Sequence, residues 1–361
     1  MPDHATDRPT LAPSPIPAIY LVGFSVMILL GAVGMIFALV DDPQRAWFAY
    51  LINFLFFVGV GSGATVFSAA VNLAGGRWSR QIKRSAEGLS LFLPVSFILF
   101  LLMIPGLDHI MPWIFGEHYG PPWWTDKTLL IIRNGVGLFL LSAVGMAITA
   151  LSARADLGKI SATGSRFEGP IHRMLRGSFD GSDEKAHKIK RLILVLSPIY
   201  IALYAAVMTM LAVDFIMSLK QSWISTLIGG YFFIGCFYIS LAFLIIGVVW
   251  NRHRFSLHED IGPKNLHDLG KLTMAFGILT ADFFYCQLML IWYGNMPYEN
   301  SFLIDRMQGG TPYRTLGIFV MLVALVLPII TMTHRKLKTM SAPTPSNVLG
   351  TVIVWAPDRV T

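Results

Sequence analysis

The chain has 361 residues, of which 54% are hydrophobic and 14% charged, against roughly 25% charge in an ordinary globular protein. A mean hydropathy of +0.60 excludes a soluble enzyme, a disordered scaffold and a nucleic-acid-binding domain. The net charge of +7, from 28 Lys and Arg against 21 Asp and Glu, is the excess that basic cytoplasmic loops give a membrane protein.

Crossing about 30 Å of hydrocarbon takes about 20 apolar residues in a helix. Eight such runs predict spans at 17–40, 47–74, 88–107, 128–152, 192–218, 223–250, 270–293 and 314–333. The expected fold is an all-α integral membrane protein whose eight transmembrane helices form two four-helix bundles, over 17–153 and 192–334. Residues 1–16, with Pro2, Pro9, Pro13 and Pro15, read as a cytoplasmic tail too weakly basic to open a signal peptide, so the first span is expected to be retained. Small residues recur at 59–70 and 135–147 and are read as packing surfaces that let helices approach closely in lipid.

Between the third and fourth runs, the Trp-, Pro- and Tyr-rich loop 107–127 fits either a segment lying at the membrane interface or a docking surface for an external partner. Residues 154–191 form a basic loop dividing the halves, and 335–361 a cytoplasmic tail. With both termini inside, the inner segments hold twenty-two Lys and Arg and the outer loops five, Arg133 lying within a span. That alternation supports an even number of spans with both ends cytoplasmic. Cys236 and Cys286 both lie in apolar runs, so this chain alone builds neither a disulfide framework nor a Cys-ligated metal site. No span carries a mid-depth His, which leaves a bis-histidine haem without ligands.

A charge near the bilayer centre costs about 2.5–3.5 kcal/mol on insertion scales, so such residues mark pathways or pairs. Asp108 and His109 close span three, Arg133 lies one turn inside span four and Asp214 near the end of span five. The alternating topology puts these four at one depth, near the outer face. A His among carboxylates and an Arg can take protons from a hydroquinone as it is oxidised; the structural alternative is an Arg133–Asp214 ion pair with His109 in interfacial water. On the inner side Glu87 opens span three, and His267, Asp268 and Lys271 open span seven. Asp282 lies about 17 Å deeper than Lys271 along the helix, with Tyr285 one turn on. These six are candidates for a proton conduit; the alternative has Asp282 hydrogen-bonded to a neighbour such as Asn53.

Several stretches resemble the NrfD/polysulfide-reductase membrane subunits, and most closely the ActF-type subunit of alternative complex III. They are 49–89 (AYLINFLFFVGVGSGATVFSAAVNLAGGRWSRQIKRSAEGL), DHIMPWIF at 108–115, the span-four Arg133, 213–244 (VDFIMSLKQSWISTLIGGYFFIGCFYISLAFL) and 266–297 (LHDLGKLTMAFGILTADFFYCQLMLIWYGNMP). Together they cover most of the spans. The resemblance implies an integral subunit that binds no cofactor by ligation and catalyses nothing alone. It would sit beside a paralogous NrfD-like subunit, an iron-sulfur protein, multihaem cytochromes c and membrane lipid. Electrons would pass from menaquinol or ubiquinol to haem and iron-sulfur centres in those partners. By motif position His109 and Asp214 resemble outer residues for quinol contact or proton release, and Lys271 and Asp282 lie where an inner conduit would run. Complex III members tend to be longer, with helices around the eight-span core, and the ActF-type subunit is the weaker of the two paralogues for the quinol pocket.

Two other readings compete. A secondary transporter would use Arg133, Asp214 and Asp282 for an ion or anion, but transporters are built from broken helices and inverted halves, and neither is evident in the sequence. A purely structural anchor would have every buried charge paired.

Overall fold

A computed structural model of the chain describes residues 18–76, 80–114, 121–162, 183–220, 223–254 and 261–297, together with 299, 300, 304, 315 and 319. The protein is a multi-pass helical membrane protein. The described residues are helical with no strand, and seven helices are long and apolar enough to cross a bilayer. These are Ala18–Asp41, Pro43–Ala74, Ile82–Ile110, Lys127–Ala155, Glu184–Leu219, Ile228–Arg252 and Lys264–Gly294, so each of the first seven expected spans has its counterpart. Seven, not eight, is the number among the described residues; the run expected at 314–333 falls almost wholly outside them.

The helices outrun the apolar runs that announced them. The fourth continues to Ala162 and the fifth begins at Asp183, so both ends of the basic stretch expected as loop are helical. Apolarity marks where hydrocarbon is, whereas Lys, Arg and Glu are good helix formers beyond it. Local signals set several ends. Asp42 accepts the backbone N–H of Arg45 at 3.1 Å with Pro43 in the first turn, and Asp126 accepts that of Leu129 at 2.8 Å. Each satisfies an otherwise orphaned donor. Gly75 closes span two with φ +61°, a left-handed position that glycine adopts without a Cβ penalty.

Span three is broken, although no broken helix is evident in the sequence. Its helix stops at Ser90 and restarts at Leu93. Pro94 has no N–H for the Ser90 carbonyl, and its ring crowds that carbonyl. Hydroxyls gather at the break: Thr65 Oγ1 lies 2.8 Å from Ser90 Oγ, and Ser142 donates to the Leu93 carbonyl at 3.0 Å. A second interruption, a short 3-10 turn, falls at Ile104–Gly106 around Pro105, and there Gly106 lies so close under the Trp47 indole that a Cβ has no room.

Span two joins the two halves of the chain. Residues Val58 to Ala69 are all buried, and they pack across the divide as well as within it. Ser240 of span six donates to the Val60 carbonyl at 2.9 Å, and Tyr200 of span five donates to that of Ser62 at 3.2 Å. The contact with span six needs small residues on span two: a Cβ on Gly59 would lie 2.8 Å from Cys236 Sγ, and one on Gly63 would lie 2.7 Å from Ser240 Cβ. A single buried cluster therefore runs from Leu51 to Leu269 through both halves. Span one packs on the outside, its apolar side chains exposed on every face, as suits a helix solvated by lipid.

Candidate functional site

Apart from Asp282 and Tyr285, in the interior of span seven, the candidate ionisable residues collect at the two ends of the helices. At one end, spans three, four and five converge. Asp214 is 1% exposed, and its carboxylate is gripped by Arg133, whose Nε donates to Oδ2 at 2.7 Å and Nη2 to Oδ1 at 2.6 Å. This paired geometry is the strongest ion pair available to a carboxylate. Asn134 adds a third donor, Nδ2 to Oδ2 at 2.6 Å. Arg133 also donates from Nη1 to the Trp124 carbonyl at 3.0 Å, and its guanidinium carbon lies 4.2 Å from the centre of the Trp124 ring, a cation–π contact. The pair expected from the sequence is thus present and saturated. Every contact is donated to Asp214, so it serves as an anchor for Arg133.

Asp108, at the same end, forms an ion pair with Lys127 on the start of span four. The stretch after Asp108 also meets the end of span five, where Ser218 contacts Met111 Sδ at 3.7 Å while donating to the Asp214 carbonyl. His109 stands apart from both pairs. It is exposed, and it makes no hydrogen bond or ion pair among the described residues. The structure therefore brings Arg133 and Asp214 into contact, gathers Asp108 at the same end, and leaves His109 exposed there without joining either pair. Beneath them Asn134 Oδ1 is buried with no donor among the described residues.

At the opposite end Glu87, 5% exposed, takes an ion pair from Lys83 at 3.4 Å and another from Arg84, and lies 3.5 Å from the Ser68 hydroxyl. Lys83 also donates to Ser152 of span four at 3.0 Å. The carboxylate thus ties spans two, three and four together. Glu87→Gln removes the charge that holds both cations and is expected to lower stability by about 1–2 kcal/mol. The exposed Lys188–Glu184 pair is the control, since Glu184→Gln is expected to cost no more than about 0.5 kcal/mol; thermal unfolding of the two variants in detergent makes the comparison.

The remaining conduit candidates all lie on span seven. Lys271 pairs with Asp268 at 3.4 Å, and His267 is half-buried one turn before. Asp282 and Tyr285 lie on the exposed side of the helix, and Asp282 has no hydrogen-bond partner among the described residues. Asn53, the neighbour considered for it, instead donates to the Ala49 carbonyl at 2.8 Å. No chain of hydrogen bonds among the described residues joins Glu87 to Asp282.

Sequence reading overlooked Asn134, Trp124 and Lys127 at the first end and Lys83, Arg84 and Ser68 at the second. The spacing of Lys83 and Arg84 to Glu87, four and three residues, was a usable signal for one shared helix face. Asn134 had none, since adjacent residues on a helix point about 100° apart. No protein-family model matches the chain, and no curated protein matches it.

Proposed function

We propose that the chain is an integral subunit of a quinol-oxidising respiratory assembly in a bacterial cytoplasmic membrane, of the NrfD-like, ActF type. Both termini lie inside, as the alternation of basic and neutral connections predicts. The end carrying His109, Asp108, Arg133 and Asp214 faces outward, and there the subunit contacts the quinol and receives its protons. The observation that carries this reading is the exposed His109, next in the chain to Asp108 of the Asp108–Lys127 pair, at the end of the apolar helices that also holds the Arg133–Asp214 pair.

Quinol gives up two electrons and two protons. The electrons pass to haem and iron-sulfur centres in partner subunits. The His109 imidazole accepts these two protons one after the other at the outer face, passing the first to water before it takes the second. The saturated Arg133–Asp214 pair holds spans four and five around that site. Glu87, His267, Asp268, Lys271, Asp282 and Tyr285 belong to an inward-facing proton path completed by neighbouring chains.

The transporter reading is weaker. Span three is interrupted before Pro94, yet its counterpart in the second half, span seven, is one continuous helix from Pro263 to Gly294. Transporters interrupt helices at corresponding positions in both halves.

Purifying the tagged chain from its native membranes tests the proposal. Haem absorption, an iron-sulfur electron-spin signal and quinol oxidation are expected to co-purify, and His109→Ala is expected to slow turnover by about a hundredfold or more, the usual range for loss of a general base. A chain that purifies without redox centres, or an assembly indifferent to His109→Ala, overturns it.

A further inference from the structure

Span seven carries two opposed faces. One packs on span six: a Cβ on Gly277 would meet the Tyr238 ring at 3.1 Å, and the rings of Phe276 and Phe237 stack edge-on with centres 4.6 Å apart. The other is exposed at Lys271, Ala275, Ile278, Asp282 and Tyr285. Their spacing of four, three, four and three residues is the repeat by which one helix presents a straight seam to another. Asp282 lies twelve residues before the helix end at Gly294, about 18 Å along the axis, and so well inside the hydrocarbon. A carboxyl group there has nothing in lipid to hydrogen-bond, so a seam that carries one is built to be covered.

We propose that this seam is the docking face for a transmembrane helix of a different polypeptide, one that presents a cationic or hydrogen-bond-donating side chain to Asp282 at mid-depth. Charge and depth select that occupant. The chain's own run at 316–330 (LGIFVMLVALVLPII) contains no side-chain donor, so it cannot satisfy a carboxylate at mid-membrane. A second copy is disfavoured by symmetry. Two copies inserted in the same direction and related by a twofold axis present identical patches to each other, which sets Asp282 against Asp282 at equal depth. Ala275, one short side chain between Lys271 and Ile278, leaves room for close approach. The inference does not depend on quinol chemistry, because a chain with any function must cover Asp282.

A photoreactive benzoylphenylalanine at Tyr285, which is 57% exposed, tests it in the intact assembly in native membranes. The expected adduct is a peptide of another polypeptide, attached within an apolar run that holds Lys, Arg, His, Asn, Gln, Ser or Thr within one turn of the attachment point. Asp282→Leu is expected to lower its yield by about tenfold, equivalent to about 1.4 kcal/mol, while Asp282→Asn, which still accepts a hydrogen bond, retains it. Adducts confined to residues 314–333, to a second copy of this chain or to lipid overturn the proposal, as does a yield unchanged in Asp282→Leu. Such an outcome leaves the His109 test untouched, since the two positions lie on different spans and have separate readouts.

Discussion

Arg133→Leu is expected to destabilise the folded chain by about 3–5 kcal/mol, the cost of stripping a buried charge of its partner. Asp214 is 1% exposed, and without the guanidinium it keeps only the Asn134 amide at 2.6 Å. The double variant Arg133→Leu with Asp214→Leu is expected to recover most of that loss, because two well-packed apolar groups replace a buried ion pair at little net cost. Thermal unfolding of the purified protein distinguishes the cases. If the double variant is as unstable as the single one, the pair does more than neutralise itself, and the Trp124 contact becomes the feature to examine. Arg133→Lys is not conservative here, since an ammonium cannot make both the Nε and Nη2 bonds or lie flat on the indole.

The second large effect belongs to the contact between spans two and six. Gly63→Ala is expected to cost about 1–3 kcal/mol, the usual range for overpacking a filled core. Its Cβ would lie 2.7 Å from Ser240 Cβ and 3.1 Å from both the Cys236 carbonyl oxygen and Phe237 Cα. Two of these neighbours are backbone atoms and cannot swing aside, so the helices must separate, and the Ser240 hydrogen bond to the Val60 carbonyl goes with them. Gly61→Ala is the control. The nearest atom to its Cβ is Phe92 Cβ at 3.6 Å, an ordinary contact, and alanine gains up to about 1 kcal/mol in helix propensity over glycine. Opposite signs at two positions two residues apart are expected in thermal unfolding, and equal effects would contradict the close packing of span two on span six.

Much of the fold was legible in the sequence because hydrocarbon imposes one demand, a long apolar helix, and seven spans met it. Hydropathy cannot report where a helix leaves the membrane and continues in water, which is why the ends at Ala162 and Asp183 were missed. Nor did it reveal the break before Pro94, although the proline was visible: membrane helices often absorb a proline when neighbouring side chains satisfy the freed carbonyl, and which neighbours those are is a tertiary fact. The same division holds at the candidate site. Arg133 and Asp214 were matched by depth and opposite charge, and they do meet. Depth alone also grouped His109 with them, but rotation about the helix axis decides contact, and His109 faces outward. For Asp282 the sequence placed a carboxyl in mid-membrane without saying which way it points. Its exposed side is the difference between an internal hydrogen bond and a surface that needs a partner.

A photoreactive quinone analogue, applied to the purified assembly and mapped by peptide, tests the proposed function most directly. Label within residues 107–134, displaced by excess quinol and strongly reduced in His109→Ala, is the expected result. Label found solely on other polypeptides, or spread along the lipid-facing surface of span one and insensitive to quinol, would contradict a quinol-handling role for this chain.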